Sequence, residues 1–238
     1  MAEARDSPSP ATTLERLPDL DLTIEQPAQG YRYNQDPFHL ARFITDGRKW
    51  ENLFSGECLD LGCGVGILPL LLARQLPKTR FTGIEIQPDL ARLARANARH
   101  NQLAQRFEVL TGDYRELCAA PRFQEHFNAV VSNPPYYPVA AGRRNRCPQK
   151  ELARHEIAGN INDLVQAVSQ MLKPKGIFCL VFPAARLFEL SKTLQARQLE
   201  PKQLRVLHPA GRNRATGILL AARKGSAPGV IIEPTQAI

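Results

Sequence analysis

Asp60-Leu61-Gly62-Cys63-Gly64-Val65-Gly66 is the stretch that decides the fold. It stands between a short apolar run, Cys58 to Leu61, and an apolar-periodic run, Ile67 to Leu76, that ends at Pro77. The first reads as a strand and the second as a helix. Glycines between a strand and a helix let the backbone turn sharply and approach a ligand, and the helix start offers unpaired N–H groups. Two familiar nucleotide loops are excluded by residue. A P-loop requires Gly-Lys-Ser/Thr, which the stretch lacks. A dinucleotide fingerprint counted from Gly62 requires Gly or Ala at position 67, where Ile67 stands.

Outward from this loop, strand and helix patterns alternate. Phe81 to Ile84, Phe107 to Leu110, Asn128 to Ser132 and Ile177 to Phe182 read as strands. Pro88 to His100, Ile161 to Leu172 and Ala184 to Arg197 read as helices, the second closed by Lys173-Pro174-Lys175-Gly176. Leu204 to Leu207 and Gly217 to Ala222 are two last strands whose short connection leaves no room for a helical crossover, so they pair antiparallel. The expected class is α/β: a mostly parallel seven-stranded sheet with an antiparallel C-terminal strand and helices on both faces. Upstream, Asp21 to Glu25 reads as a short strand, Gln26 to Gly30 as a turn, and Tyr31 to Ile44 contains a short amphipathic helix after Pro37. Residues 1–20, rich in Ser, Pro, Ala and charge, read as a mobile tail, 21–55 as an N-terminal extension and 56–238 as the ligand-binding domain.

Composition bounds the function. The chain has 238 residues, 43% of them hydrophobic. No apolar run approaches the roughly 18 residues of a membrane span, and the polar N-terminus is unlike a secretory signal. A soluble cytoplasmic protein is expected, monomeric or weakly dimeric. The five cysteines form no CxxC pair and the five histidines no HExxH, so no metal is expected. A formal charge of +8 favours an anionic partner, most simply nucleic acid.

The strand ends carry the candidate site. Glu85 lies 23 residues after Gly62, where an acid can accept hydrogen bonds from both hydroxyls of a ribose. Asp113, after the third strand, can accept one from an adenine amine. Ile86 and Tyr114, beside these acids, and Asp60, Gly62, Gly64 and Gly66 of the loop complete the expected cofactor set. The fourth strand runs into Asn133-Pro134-Pro135-Tyr136. Two prolines hold this backbone extended and remove two donors. Asn133 and the Pro134 carbonyl then present two acceptors to an amine or amide nitrogen, and Tyr136 offers a flat face to a planar group. Asn133 belongs to the cofactor set as well as to the catalytic one.

From about Tyr31 to Ile232 the chain resembles the class I S-adenosylmethionine-dependent methyltransferases that modify exocyclic amines, with their Rossmann-like fold. That group includes N6-adenine and N2-guanine enzymes acting on nucleic acid and the glutamine methyltransferase of release factors. The flanks narrow the resemblance. Gly30-Tyr31-Arg32-Tyr33-Asn34-Gln35-Asp36, Arg154-His155-Glu156, Leu207-His208-Pro209 and Ala221-Ala222-Arg223-Lys224-Gly225 are similar to segments of the tRNA1(Val) adenine N6-methyltransferase family. The resemblance implies S-adenosylmethionine as methyl donor and tRNA as partner, with the adenosine 3′ of the anticodon as acceptor. A protein N5-glutamine methyltransferase acting on a release factor or ribosomal protein, or an rRNA N2-guanine methyltransferase, would need the same tetrapeptide. Arg143, Arg144, Arg146, Lys150 and Arg154 follow it directly and are candidates to hold phosphates. Arg205, Arg212, Arg214, Arg223 and Lys224 form a second basic region.

Overall fold

Leu59 and Leu61 bury their side chains in one apolar layer, while Cys58, just before them, and Cys63 of the loop enter another. The same alternation sorts Phe178, Leu180 and Phe182 from Ile177, Cys179 and Val181. Successive strand residues point to opposite faces, so a strand apolar at every position must be covered on both sides. A computed structural model of the chain, described over residues 11–46, 50–134, 161–211 and 213–238, shows that three-layer arrangement.

The strands are β1 (Thr12–Leu17), β2 (Leu22–Pro27), β3 (Gly56–Leu61), β4 (Thr79–Glu85), β5 (Phe107–Thr111), β6 (Phe127–Ser132), β7 (Leu172–Pro183), β8 (Leu199–His208) and β9 (Gly217–Lys224). Two two-residue strands follow, β10 (Ile231–Ile232) and β11 (Gln236–Ala237). The helices are α1 (Asp36–Thr45), α2 (Glu51–Phe54), α3 (Ile67–Gln75), α4 (Pro88–His100), α5 (Tyr114–Leu117), α6 (Ile161–Met171) and α7 (Leu187–Gln195). The main sheet runs β10-β8-β9-β7-β6-β3-β4-β5, with β11 also on β8. The pairs β3–β4, β4–β5, β3–β6 and β6–β7 are parallel, and β9 is antiparallel to both β7 and β8. The seven expected strands are therefore present, and β10 and β11 extend the edge to nine. Strand order reverses between β3 and β6, and crevices at such a reversal are where open α/β sheets bind ligands. Ser132 ties the two strands there, its hydroxyl donating to the Leu61 carbonyl at 2.8 Å.

Boundaries differ from the sequence reading at several places, among them the start of β8, at Leu199 rather than the expected Leu204. Lys173 to Gly176 does not form a closing loop. It lies within β7, where the register with β6 shifts between Phe127 and Ala129. Lys224 holds that entry, its Nζ donating to the Ser169 and Leu172 carbonyls at 2.7 and 2.8 Å. The run from Ala184 divides into a 3-10 turn over Ala184–Arg186 and α7. Part of the stretch read as a mobile tail is also structured, because Thr12–Leu17 pairs antiparallel with β2 from Thr12↔Pro27 to Leu17↔Leu22.

The anchor of that hairpin lies far away in sequence. Asn97 lies in α4, Asn101 caps the same helix one turn later, and both are buried. Asn97 accepts from the Glu25 N–H at 2.7 Å and donates to the Glu25 carbonyl at 2.9 Å. Asn101 treats Thr23 likewise, at 2.8 Å each way. The two amides thus stand in for a neighbouring strand. Asn97 also donates to the Val65 carbonyl at 2.9 Å, joining hairpin, helix and glycine loop. Replacing Asn97 by Leu leaves buried backbone groups unpaired, each costing about 1–3 kcal/mol. The expected loss is roughly 3 kcal/mol, a fall in melting temperature of about 6–12 °C for a chain of this size. Calorimetry of Asn97→Leu beside the wild type checks it.

Candidate active site

The glycine loop is pinned from below. The N–H groups of Gly62 and Cys63 both donate to the Ile84 carbonyl, at 2.9 and 3.1 Å, and Gly66 N donates to the Cys63 carbonyl at 2.8 Å. Gly64 and Gly66 have φ of 56° and 84°, in the region that favours glycine. A Cβ on Gly66 would lie 2.7 Å from the Phe107 ring, and one on Gly64 would lie 3.0 Å from the Tyr31 hydroxyl. A Cβ on Gly62 would meet nothing within 4 Å. The loop is therefore packed on two sides and open at its first glycine.

Two carboxylates border that opening. Asp60 is 2% exposed and Glu85 3%. Glu85 receives the Gly64 N–H and the Gln87 N–H, both at 2.9 Å. Burial raises its pKa, against the backbone N–H groups of Gln87, Gly64 and Ile86, which lower it. Burial also raises Asp60 well above the usual carboxylate range, and the nearby Glu85 adds to this. Each Glu85 oxygen keeps acceptor capacity beyond its one backbone bond. Gln87 Nε2 is buried with no protein partner, so the same strand end also holds an unused donor.

Tyr31 is the site residue that reading motifs by type did not pick out. It is delivered by the hairpin and rests on Gly64. Although 36% of the residue is exposed, desolvation of the hydroxyl end, followed by the charges of Glu85 and Asp60, pushes its phenol pKa above the usual value. The only signal in the sequence was its place in the Gly30–Asp36 flank.

Asp113 behaves differently from Glu85. It caps α5, accepting from the Arg115 N–H at 2.8 Å, and Arg115 Nε donates to both of its oxygens at 2.9 and 2.8 Å. Its hydrogen bonds to Arg115 hold the carboxyl below its ordinary range. Tyr114 packs against the apolar layer that contains Leu59 and Leu61. Burial pushes its phenol up to about 12. Ile86 is half-buried beside Glu85.

Asn133 and Pro134 are half-buried and leave the end of β6 next to the end of β3. The structure thus gathers Asp60, Gly62, Gly64, Gly66, Glu85, Ile86 and Asn133 at the sheet's reversal point, with Asp113 and Tyr114 at the neighbouring end of β5. Tyr136, Arg143, Arg144, Arg146, Lys150 and Arg154 lie outside the described residues.

The second basic region separates into different roles. Arg205 forms ion pairs with Asp46 at 3.0 Å and Glu233 at 2.8 Å and lies over the Phe43 ring. Arg223 donates to the Lys175 carbonyl, and Lys224 pairs with Glu125 as well as holding β7. These cations are spent on the fold, whereas Arg214 is exposed.

A nucleoside carrying a cationic tail fits what surrounds the opening. Glu85 can accept from ribose hydroxyls, and the two buried carboxylates favour positive charge. The profile of the methyltransferase small domain matches residues 48–196. The chain belongs to that family. A relative of this chain, the tRNA1(Val) (adenine(37)-N6)-methyltransferase of Porphyromonas gingivalis, is 35% identical over 135 residues, covering 56% of this chain and 52% of the relative. The chain thus spans about half the length of that curated relative. Two solved structures are similar to the chain in fold. One, described as a predicted O-methyltransferase from Agrobacterium tumefaciens, has a TM-score of 0.65 and 22% identity, covering 85% of this chain and 86% of that one. The other is geranyl diphosphate C-methyltransferase from Streptomyces coelicolor, in complex with Mg2+, geranyl diphosphate and S-adenosyl-L-homocysteine. Its TM-score is 0.55 with 14% identity, covering 79% and 77%.

Among the described residues, no helix is long and apolar enough to cross a membrane, and no three His, Cys, Asp or Glu side chains group to hold a metal.

Proposed function

We propose that this methyltransferase acts on the exocyclic N6 of an adenosine in tRNA, with S-adenosylmethionine as donor, in the cytoplasm. The observation that carries the reading is the placement of Asn133 and Pro134, one strand from the glycine loop at the sheet's reversal point. The relative from Porphyromonas gingivalis supports adenosine 37 of tRNA1(Val) as the target. Asp60, Gly62, Gly64, Gly66, Glu85 and Ile86 would hold the donor, with Asp113 and Tyr114 toward its adenine. When bound, S-adenosylmethionine supplies an electrophilic methyl group on a sulfonium.

The chain's own contribution is positioning. Asn133 Oδ1 and the Pro134 carbonyl accept the two N–H bonds of the target amine. This turns the nitrogen lone pair toward the donor side of the crevice and stabilises the positive charge that grows on nitrogen as it attacks. Tyr136 stacks on the acceptor base. Arg143, Arg144, Arg146, Lys150 and Arg154 hold RNA phosphates, and the adenosine swings out of its loop to reach the site.

The test is incubation of the protein with labelled S-adenosylmethionine and tRNA from a strain lacking the enzyme, followed by nucleoside identification. Labelled N6-methyladenosine is the expected product. Label in N2-methylguanosine of rRNA, or in glutamine of a release factor or ribosomal protein, would replace this reading with one of the two related chemistries.

A further inference from the structure

Phe188 exposes 88% of its surface, more than any other large apolar side chain among the described residues. Its position gives that exposure meaning. Ser132 pairs with Leu180, so Asn133 and Pro134 leave the sheet at the level of Val181 and Phe182. The chain then turns through Ala184–Arg186 into α7, whose second residue is Phe188. Ala184 N donates to the Thr216 carbonyl at 3.2 Å, and Thr216 N to the Leu207 carbonyl at 3.1 Å. The start of α7 and the loop from Pro209 to Thr216 therefore form one rim, on the side of Asn133 away from the glycine loop.

That rim is cationic. Lys192 lies one turn after Phe188 on the same exposed helix face, and Arg214 is exposed on the adjoining loop. The only acid in Ala184–Thr193 and Pro209–Thr216 is Glu189. It is engaged by Arg186, whose Nε and Nη2 donate to it at 2.8 and 2.7 Å and whose guanidinium lies 5.0 Å from the Phe182 ring centre. An uncovered aromatic ring among cations, beside a site that takes an extruded base, suits single-stranded RNA, where bases stack on aromatic faces and phosphates pair with Lys and Arg.

We infer that Phe188, with Lys192 and Arg214, is an RNA-docking platform on the acceptor side of the active site. Phe188 stacks on an unpaired nucleotide neighbouring the target, and the two cations hold the backbone on either side. This rests on the RNA reading above.

The test measures binding of an anticodon stem-loop RNA over a salt series, with the donor-induced rise in melting temperature followed in parallel. The variants are Phe188→Ala, Phe188→Trp and the double variant Lys192→Ala/Arg214→Ala. Phe188→Ala is expected to weaken RNA binding about 5- to 100-fold with an unchanged salt slope, and Phe188→Trp to restore it. The double variant is expected to flatten the salt slope by about one to two. The donor-induced rise stays the same in all of them. Wild-type binding by Phe188→Ala, a tryptophan variant as weak as the alanine one, or a lost donor response would overturn the platform alone. A wild-type protein that neither binds nor methylates RNA would overturn both the platform and the reading beneath it.

Discussion

Asn133→Ala is expected to lower turnover about 100- to 1000-fold, the usual scale for losing one preorganised hydrogen-bonding group at a developing charge. The reason is positional. Asn133 follows β6 directly, and Ser132 fixes that strand end to β3 through the Leu61 carbonyl. On the proposed reading the side chain presents its acceptor from a strand end that Ser132 already fixes. The glycine loop, Glu85 and Gln87 belong to β3, β4 and the turns after them. Donor affinity should change little, so calorimetric titration with S-adenosylmethionine separates the two roles from single-turnover kinetics. A donor Kd that rises in step with the loss of rate would move Asn133 from the acceptor side to the donor side.

Glu85→Ala is expected to act in the opposite way, weakening donor binding about 100- to 10,000-fold. Two ribose hydroxyls on a buried carboxylate are each worth about 1.5–3 kcal/mol as charge-assisted hydrogen bonds. The same change also frees the Gly64 and Gln87 N–H groups that shape the loop. The carboxylate adds a pH signature. Burial raises the pKa of Glu85 and of Asp60. Acids whose folded pKa is raised stabilise the ligand-free protein below their unfolded pKa, and that stability is lost as pH rises through the folded value. A cationic donor favours their ionised forms. Raising the pH from the ordinary carboxylate range through the raised values should therefore lower ligand-free stability while tightening donor binding. Glu85→Gln should flatten both trends, and melting curves with and without donor across that range measure them together.

The parts of the site that could be read in the sequence are governed by local rules. Asp60 to Gly66 declares a turn through its glycines, Glu85 lies at a strand end a set distance away, and Asn133 stands before two prolines. Each of these depends on neighbours within a few residues. Tyr31 on Gly64, the Asn97 bond to Val65 and the unpaired Gln87 Nε2 do not. Asn97 looks like one more residue on the inner face of an amphipathic helix until β2 lies across it. Over Thr12–Leu17 the mobile-tail reading differs from the structure for the same reason. Polar composition suits a tail, but a strand needs only a partner, and β2 supplies one.

Charge shows the limit most clearly. The sum of +8 is a property of composition and holds wherever the residues lie. Arg205, Arg223 and Lys224 count toward it equally with Arg214, yet the first three pair with Asp46, Glu233, Glu125 and backbone carbonyls. The alternation of strands and helices and the glycine turn between β3 and α3 were determined by sequence alone, because backbone conformation and side-chain periodicity are short-range. Which cations pair within the fold, which asparagines replace a strand and which tyrosine lies on the loop were decided only by the tertiary structure. Those contacts join residues about 20 to 160 positions apart, and in the unfolded chain no local preference brings them together.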